Sequence, residues 1–131
     1  AYPPAANLTD YQRTIDFERT EESIVIQEAM TFRDGREWAG GNQVDFHFMT
    51  QHVPAPGMEP GTITLAHPAT GTARAVLEYP AAMDVLVTKI ELEDPRFMAS
   101  WGETIHRITI STALETDEPS ADIPFMVRRS E

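Results

Sequence analysis

Along this chain apolar residues recur at every second position far more often than at helical spacing, which predicts strands rather than helices. "YQRTIDFERT" puts Tyr11, Arg13, Ile15 and Phe17 on one face, and "ESIVIQEAMTF" follows with Ile24 and Ile26 on one face. "QVDFHFMT" alternates cleanly, with Val44, Phe46 and Phe48 opposed to Asp45, His47 and Met49. "TITLA", the turn "HPATG" and "TARAVLEY" read as a hairpin, and "DVLVTKIEL", "GETIHRITIST" and "IPFMV" supply three more strands. "DGREWAGGN", the proline-rich "QHVPAPGMEPG" and the acidic "LETDEPSAD" read as loops. Pro124 inside the last strand predicts an edge position or a bulge, because proline has no N–H for a ladder.

This pattern predicts an all-β fold, an antiparallel two-sheet β-sandwich of about eight strands. Residues 11–131 form one domain in this reading, and residues 1–10 a connector to preceding structure. Between two strands, "LEDPRFMASWGE" breaks the alternation. Asp94-Pro95 opens one turn of helix. Phe97, Met98 and Trp101 then fall at helical spacing and are expected to plug an open end of the sandwich, and Gly102 permits the reversal. Arg107, facing opposite to His106 and Ile108, is expected to pair with an acid such as Asp94 or with the strand neighbours of Arg13. Each of these residues has a packing role, so the stretch reads as a corner.

Charge narrows the partners. Ten basic against 21 acidic residues give a formal net of −11. Nucleic-acid binding calls for a basic patch, and only Arg128 and Arg129 adjoin, so a nucleic acid is not an expected partner. No apolar run approaches the about 18–20 residues of a spanning helix, and a membrane is not expected either. The absence of cysteine removes disulfides and thiolate metal sites. The chain starts on Ala1 without a signal-peptide pattern, which reads as a piece of a longer protein; periplasmic, secreted and cytoplasmic locations all stay open.

Candidate chemistry is sparse. His47 and His52 are not at metal-ligand spacing, and His67 and His106 stand apart, so neither metal nor cofactor is expected. Glu21–Glu22 and Glu93–Asp94 are adjacent, so in a strand each pair points to opposite faces and reads as solvated charge. No phosphate loop, dinucleotide fingerprint or nucleophile elbow occurs. Trp38 in the glycine-flanked "REWAGGN" is a candidate stacking platform for a sugar, with the 51–60 loop and its His52 beside it. Its plainer role is to fold over the sandwich end or pack on a neighbouring domain.

Several stretches together resemble one family. "LEDPRFMASWGETIHRITI" is similar to the ending of the heparinase II/III-like polysaccharide lyases, with an acidic-proline turn before Trp-Gly and then a strand carrying arginine. "YQRTIDFERTEESIVIQEAMTF", "DFHFMTQHVP" and "GTITLAH" resemble other strands of those proteins. The resemblance runs from about Tyr11 to Val127, and its most specific piece is Trp101-Gly102 followed by His106-Arg107-Ile108. It implies the C-terminal β-sandwich of a protein whose preceding helical toroid carries out β-elimination on a uronate-containing polysaccharide. The family's catalytic residues match no position of this chain. The resemblance therefore implies an accessory domain, not catalytic alone, whose partner is the catalytic domain of the same chain, with polysaccharide as a second candidate partner. A stand-alone or appended carbohydrate-binding module is the alternative.

Overall fold

A computed structural model of the chain describes residues 7–33, 43–114 and 119–130. In order these form β1 (Leu8–Glu18), β2 (Ser23–Phe32), β3 (Gln43–Thr50), β4 (Val53–Pro56), β5 (Thr62–Ala66), β6 (Ala73–Glu78), β7 (Asp84–Glu91), α1 (Pro95–Trp101), β8 (Thr104–Ala113) and β9 (Ser120–Arg129). β1 begins at Leu8, so the last residues of the expected connector already pair, Leu8 with Phe32 and Asp10 with Thr31.

Two antiparallel sheets pack face to face as an all-β sandwich. The larger has the order β1-β2-β9-β6-β5-β4 and the smaller the order β3-β8-β7. Period-two alternation fixes which residues meet between them. Phe46, Ile108 and Ile110 of the small sheet lie buried against Met30, Phe32, Ile63, Leu77, Ile123 and Phe125 of the large one. Phe125, 1% exposed, stands at the centre, edge-on to Phe46 at 5.3 Å and to Phe48 at 5.1 Å between ring centroids.

One expectation needs correction. The proline-rich stretch after His52 contains a strand, β4, hydrogen-bonded to β5 with Pro54 opposite Leu65. It is the outer strand of the large sheet, where prolines cost no ladder on the solvent side. Pro124 lies in a strand between β2 and β6, yet its own position is an edge one, as expected. The pairing of β9 with β6 runs only from Met126 to Arg129, so at Pro124 the strand has β2 alone beside it, opposite Gln27.

The turns follow their residues. Gly61 has φ 78°, and a Cβ there would lie 2.6 Å from the Tyr79 carbonyl oxygen. Only glycine fits this bend between β4 and β5. Among the described residues no helix is long and apolar enough to cross a membrane.

Candidate functional site

Two clefts of equal size, each about 320 Å³, bear on the sequence reading. The first lies under α1. Asp94 caps the helix by accepting the Arg96 N–H at 2.9 Å, and Pro95 occupies its first turn. Gly102 ends it at φ 83°, its N–H donating to the Met98 carbonyl at 2.9 Å. The sequence cues for the helix therefore hold. The plug does not form, because none of the helix's residues is buried. Phe97 is 56% and Trp101 51% exposed. With Met49, Thr50, Leu92 and Ile105 they line an open, almost wholly apolar cleft. Helical spacing put Phe97 and Trp101 on one face, and that face looks outward over the end of the small sheet. Asp94 is taken by Arg96, with Nη2 to Oδ2 at 2.9 Å, rather than by the exposed Arg107. Arg96 holds the Asp94 carboxyl below the usual range, by its side-chain and backbone hydrogen bonds.

Further apolar surface lies at the same end. Leu8 shares a cleft with Val44, and the Arg13 guanidinium sits 5.9 Å above the Phe48 ring, so β1 and β3 advance together. Beyond Arg13 come Ile15 and Phe17, each 61% exposed, toward the end of β3 where Met49 is 52% exposed. Gln51, just past β3, donates to the Ser100 carbonyl at 3.1 Å and ties this end to α1.

The second cleft opens on the side of the sandwich, between the outer strands β1 and β3. Leu8, Met30, Val44 and Phe46 give it apolar walls and Tyr11 and Arg13 its polar groups, while Asp45 and His47 border it with their side chains on the opposite face of β3. Behind it Glu28 is fully buried. It accepts hydrogen bonds from the Tyr11 hydroxyl and from Arg13 Nε, the latter also an ion pair. Glu28 escaped the sequence reading, yet the signal was present. It follows Ile24 and Ile26 and precedes Met30 at period two, so it belongs to the inward face. Burial, followed by the Glu28 hydrogen bond and charge, raises the Tyr11 phenol above its ordinary value. Burial pulls the Arg13 guanidinium down, but Glu28 and Tyr11 more than offset this, and it ends above its ordinary value. On the outer face of the small sheet Asp45 accepts from Gln43 Nε2 at 2.9 Å and from Ser111 Oγ at 2.7 Å. These bonds, with the nearby His47, hold its carboxyl below the usual range. His47 Nδ1 lies 3.0 Å from Thr109 Oγ1.

The residues singled out from sequence fall elsewhere. Trp38 and its loop lie outside the described residues. His52 is half-buried at the mouth of the β4–β5 hairpin, its ring edge-on to His67 at 6.2 Å between centroids. Among the described residues no three His, Cys, Asp or Glu side chains are grouped to hold a metal ion. No family model matches the chain, and no curated protein matches it.

Proposed function

We propose that this chain is an accessory β-sandwich domain, of the kind that ends the heparinase II/III-like polysaccharide lyases, and that it supports a catalytic domain of the same protein by docking through its α1 end. The observation that carries the reading is the exposure of α1. The stretch where the family resemblance is most specific holds an unburied helix whose Phe97 and Trp101 open an apolar cleft, with Met49, Ile15 and Phe17 exposed at the same end. Large apolar groups gathered on one end of a domain mark a surface that another body covers. A catalytic role for this domain alone has no comparable support, since Tyr11, Arg13 and Glu28 at the side cleft are bound to one another rather than poised for proton transfer.

The test is hydrophobic-dye fluorescence with sedimentation of the 131-residue chain. The chain should brighten the dye or self-associate, and the double variant Phe97→Ser/Trp101→Ser should abolish either signal. A dye-silent monomer would sink the docking role. The lyase assignment is tested separately by the gene upstream of the Ala1 codon, where several hundred helix-patterned codons are expected. A start codon immediately upstream would remove that assignment.

A further inference from the structure

Strand β1 forms one margin of the large sheet and β4 the other. The two margins are finished differently. β4 has four residues and carries Pro54 and Pro56, and a short strand with proline discourages further pairing. β1 runs for 11 residues without a proline, and every residue of it after Leu8 is exposed. Among the described residues no strand pairs with its far side, so alternate N–H and C=O groups of β1 face away from β2. A long, unguarded edge is a template for another strand.

The side chains of β1 specify what that strand carries. On the core side Ile15 and Phe17, each 61% exposed, stand beside Ile26 and Ile24 of β2 in an apolar row that stops at the edge. On the other side, by period two, lie Asp10, Asp16 and Glu18. Their neighbours on β2 are Thr31, Val25 and Ser23, none of them a cation. Among the described residues none of these three acids has an ion pair.

We infer that the free edge of β1 takes up an extended segment of a partner protein, in which apolar side chains alternate with basic ones. Main-chain hydrogen bonds to β1 supply affinity, as in other strand additions. The apolar side chains continue the row of Ile15 and Phe17, and the basic ones meet Asp16 and Glu18 across the new strand pair. Charge decides the occupant. A chain of net −11 draws a basic segment, whereas a second copy brings the same acidic row and the same net charge. This edge is recognised through main chain and charge, and the α1 cleft through apolar contact, so the two surfaces work independently.

Amide chemical shifts and hydrogen exchange of the isotope-labelled chain read the edge residue by residue. The probe is a blocked nonapeptide in which valine alternates with lysine or threonine, its lysines spaced to face Glu18, Asp16 and Asp10. The amides of Tyr11 to Phe17 should shift on titration, and alternate ones, fast-exchanging in the free chain, should slow. A counterpart with glutamate for lysine should leave them still. A scrambled peptide of the same composition, without alternation, should bind about tenfold more weakly. The exposed charge variant Asp16→Lys/Glu18→Lys should weaken the lysine peptide about tenfold and turn the preference toward the glutamate peptide. The inference is overturned by outward β1 amides that are already slow in the free monomer, by amides that ignore the lysine peptide, or by equal binding of the scrambled one. Unchanged affinity in the charge variant overturns it too. Slowing of the same amides with chain concentration alone makes a second copy the occupant and also overturns it. The dye signal at α1 should persist in the charge variant, so this inference and the docking role fail separately.

Discussion

The cleft under α1 and the cleft between β1 and β3 have the same volume and nearly opposite chemistry. The first is built from Met49, Leu92, Phe97, Trp101 and Ile105, side chains that shed water but fix no orientation. The second joins Tyr11 and Arg13, both bound to Glu28, to an apolar wall, while Asp45 and His47 turn to the outer face of β3, where each has its own hydrogen bond. Size does not separate a docking surface from a ligand site. What separates them is whether the polar groups are fixed in direction before anything binds. An apolar cleft accepts any complementary surface, which suits a domain interface.

The comparison breaks most sharply at Arg13. In Arg13→Ala the fully buried Glu28 loses its cation and keeps only the Tyr11 hydroxyl. A buried ion pair broken on one side costs about 3–5 kcal/mol; the lower end applies here, because Arg13 itself is partly exposed and water reaches the vacated place. Urea unfolding should show a loss of about 3 kcal/mol, and the double variant Arg13→Ala/Glu28→Leu should recover most of it. A loss under about 1 kcal/mol would mean that Tyr11 alone satisfies the carboxylate.

The matching change under α1 should be milder. Phe97 and Trp101 are each about half exposed, so Phe97→Ser/Trp101→Ser forfeits only the buried half of each, about 1–2 kcal/mol together. The same urea titration checks this. A loss equal to that of Arg13→Ala would make α1 part of the core after all and would remove the argument for docking.

Much of this architecture is legible in the chain, for reasons that also mark where reading stops. β3 alternates over its eight residues, and its register sets Phe46 opposite Ile110 and Phe48 opposite Ile108 as period two requires. The β5–β6 hairpin follows from "HPATG", where the Gly71 N–H donates to the His67 carbonyl at 2.9 Å. β4 hides behind Pro54 and Pro56, because proline signals a loop unless the strand is known to be an outer one. The helix α1 is legible in its cap and its glycine, but spacing says only which residues share a face, not what that face meets. Glu28 is legible by period alone. The side cleft is not, since it needs β1 and β3 brought together from different sheets, and no local pattern encodes that.

The smallest effect sharpens the picture of the α1 end from within. On the inner face of β8, His106 stands between Thr50 of β3 and Lys89 of β7, one residue from Ile105 of the apolar cleft. Its Nδ1 is buried and finds no hydrogen-bond partner among the described residues. Burial, then the charge of Lys89, lowers its pKa below the ordinary 6.5. The folded chain thus binds this proton less readily than the unfolded chain. The histidine's contribution to stability is present above pH 6.5 and is lost as pH falls through the lowered folded value. His106→Leu removes both the unpaired nitrogen and the titration. It should gain about 1 kcal/mol at neutral pH, and its advantage over the parent should widen on acidification toward pH 5. Other carboxylates titrate in both proteins and cancel in the difference. An advantage that stays constant with pH would show that His106 charges freely in the fold. An unpaired buried group next to an uncovered apolar cleft also marks this end as less self-sufficient than the middle around Phe125. That is the condition expected of a surface shaped to be completed by its neighbour.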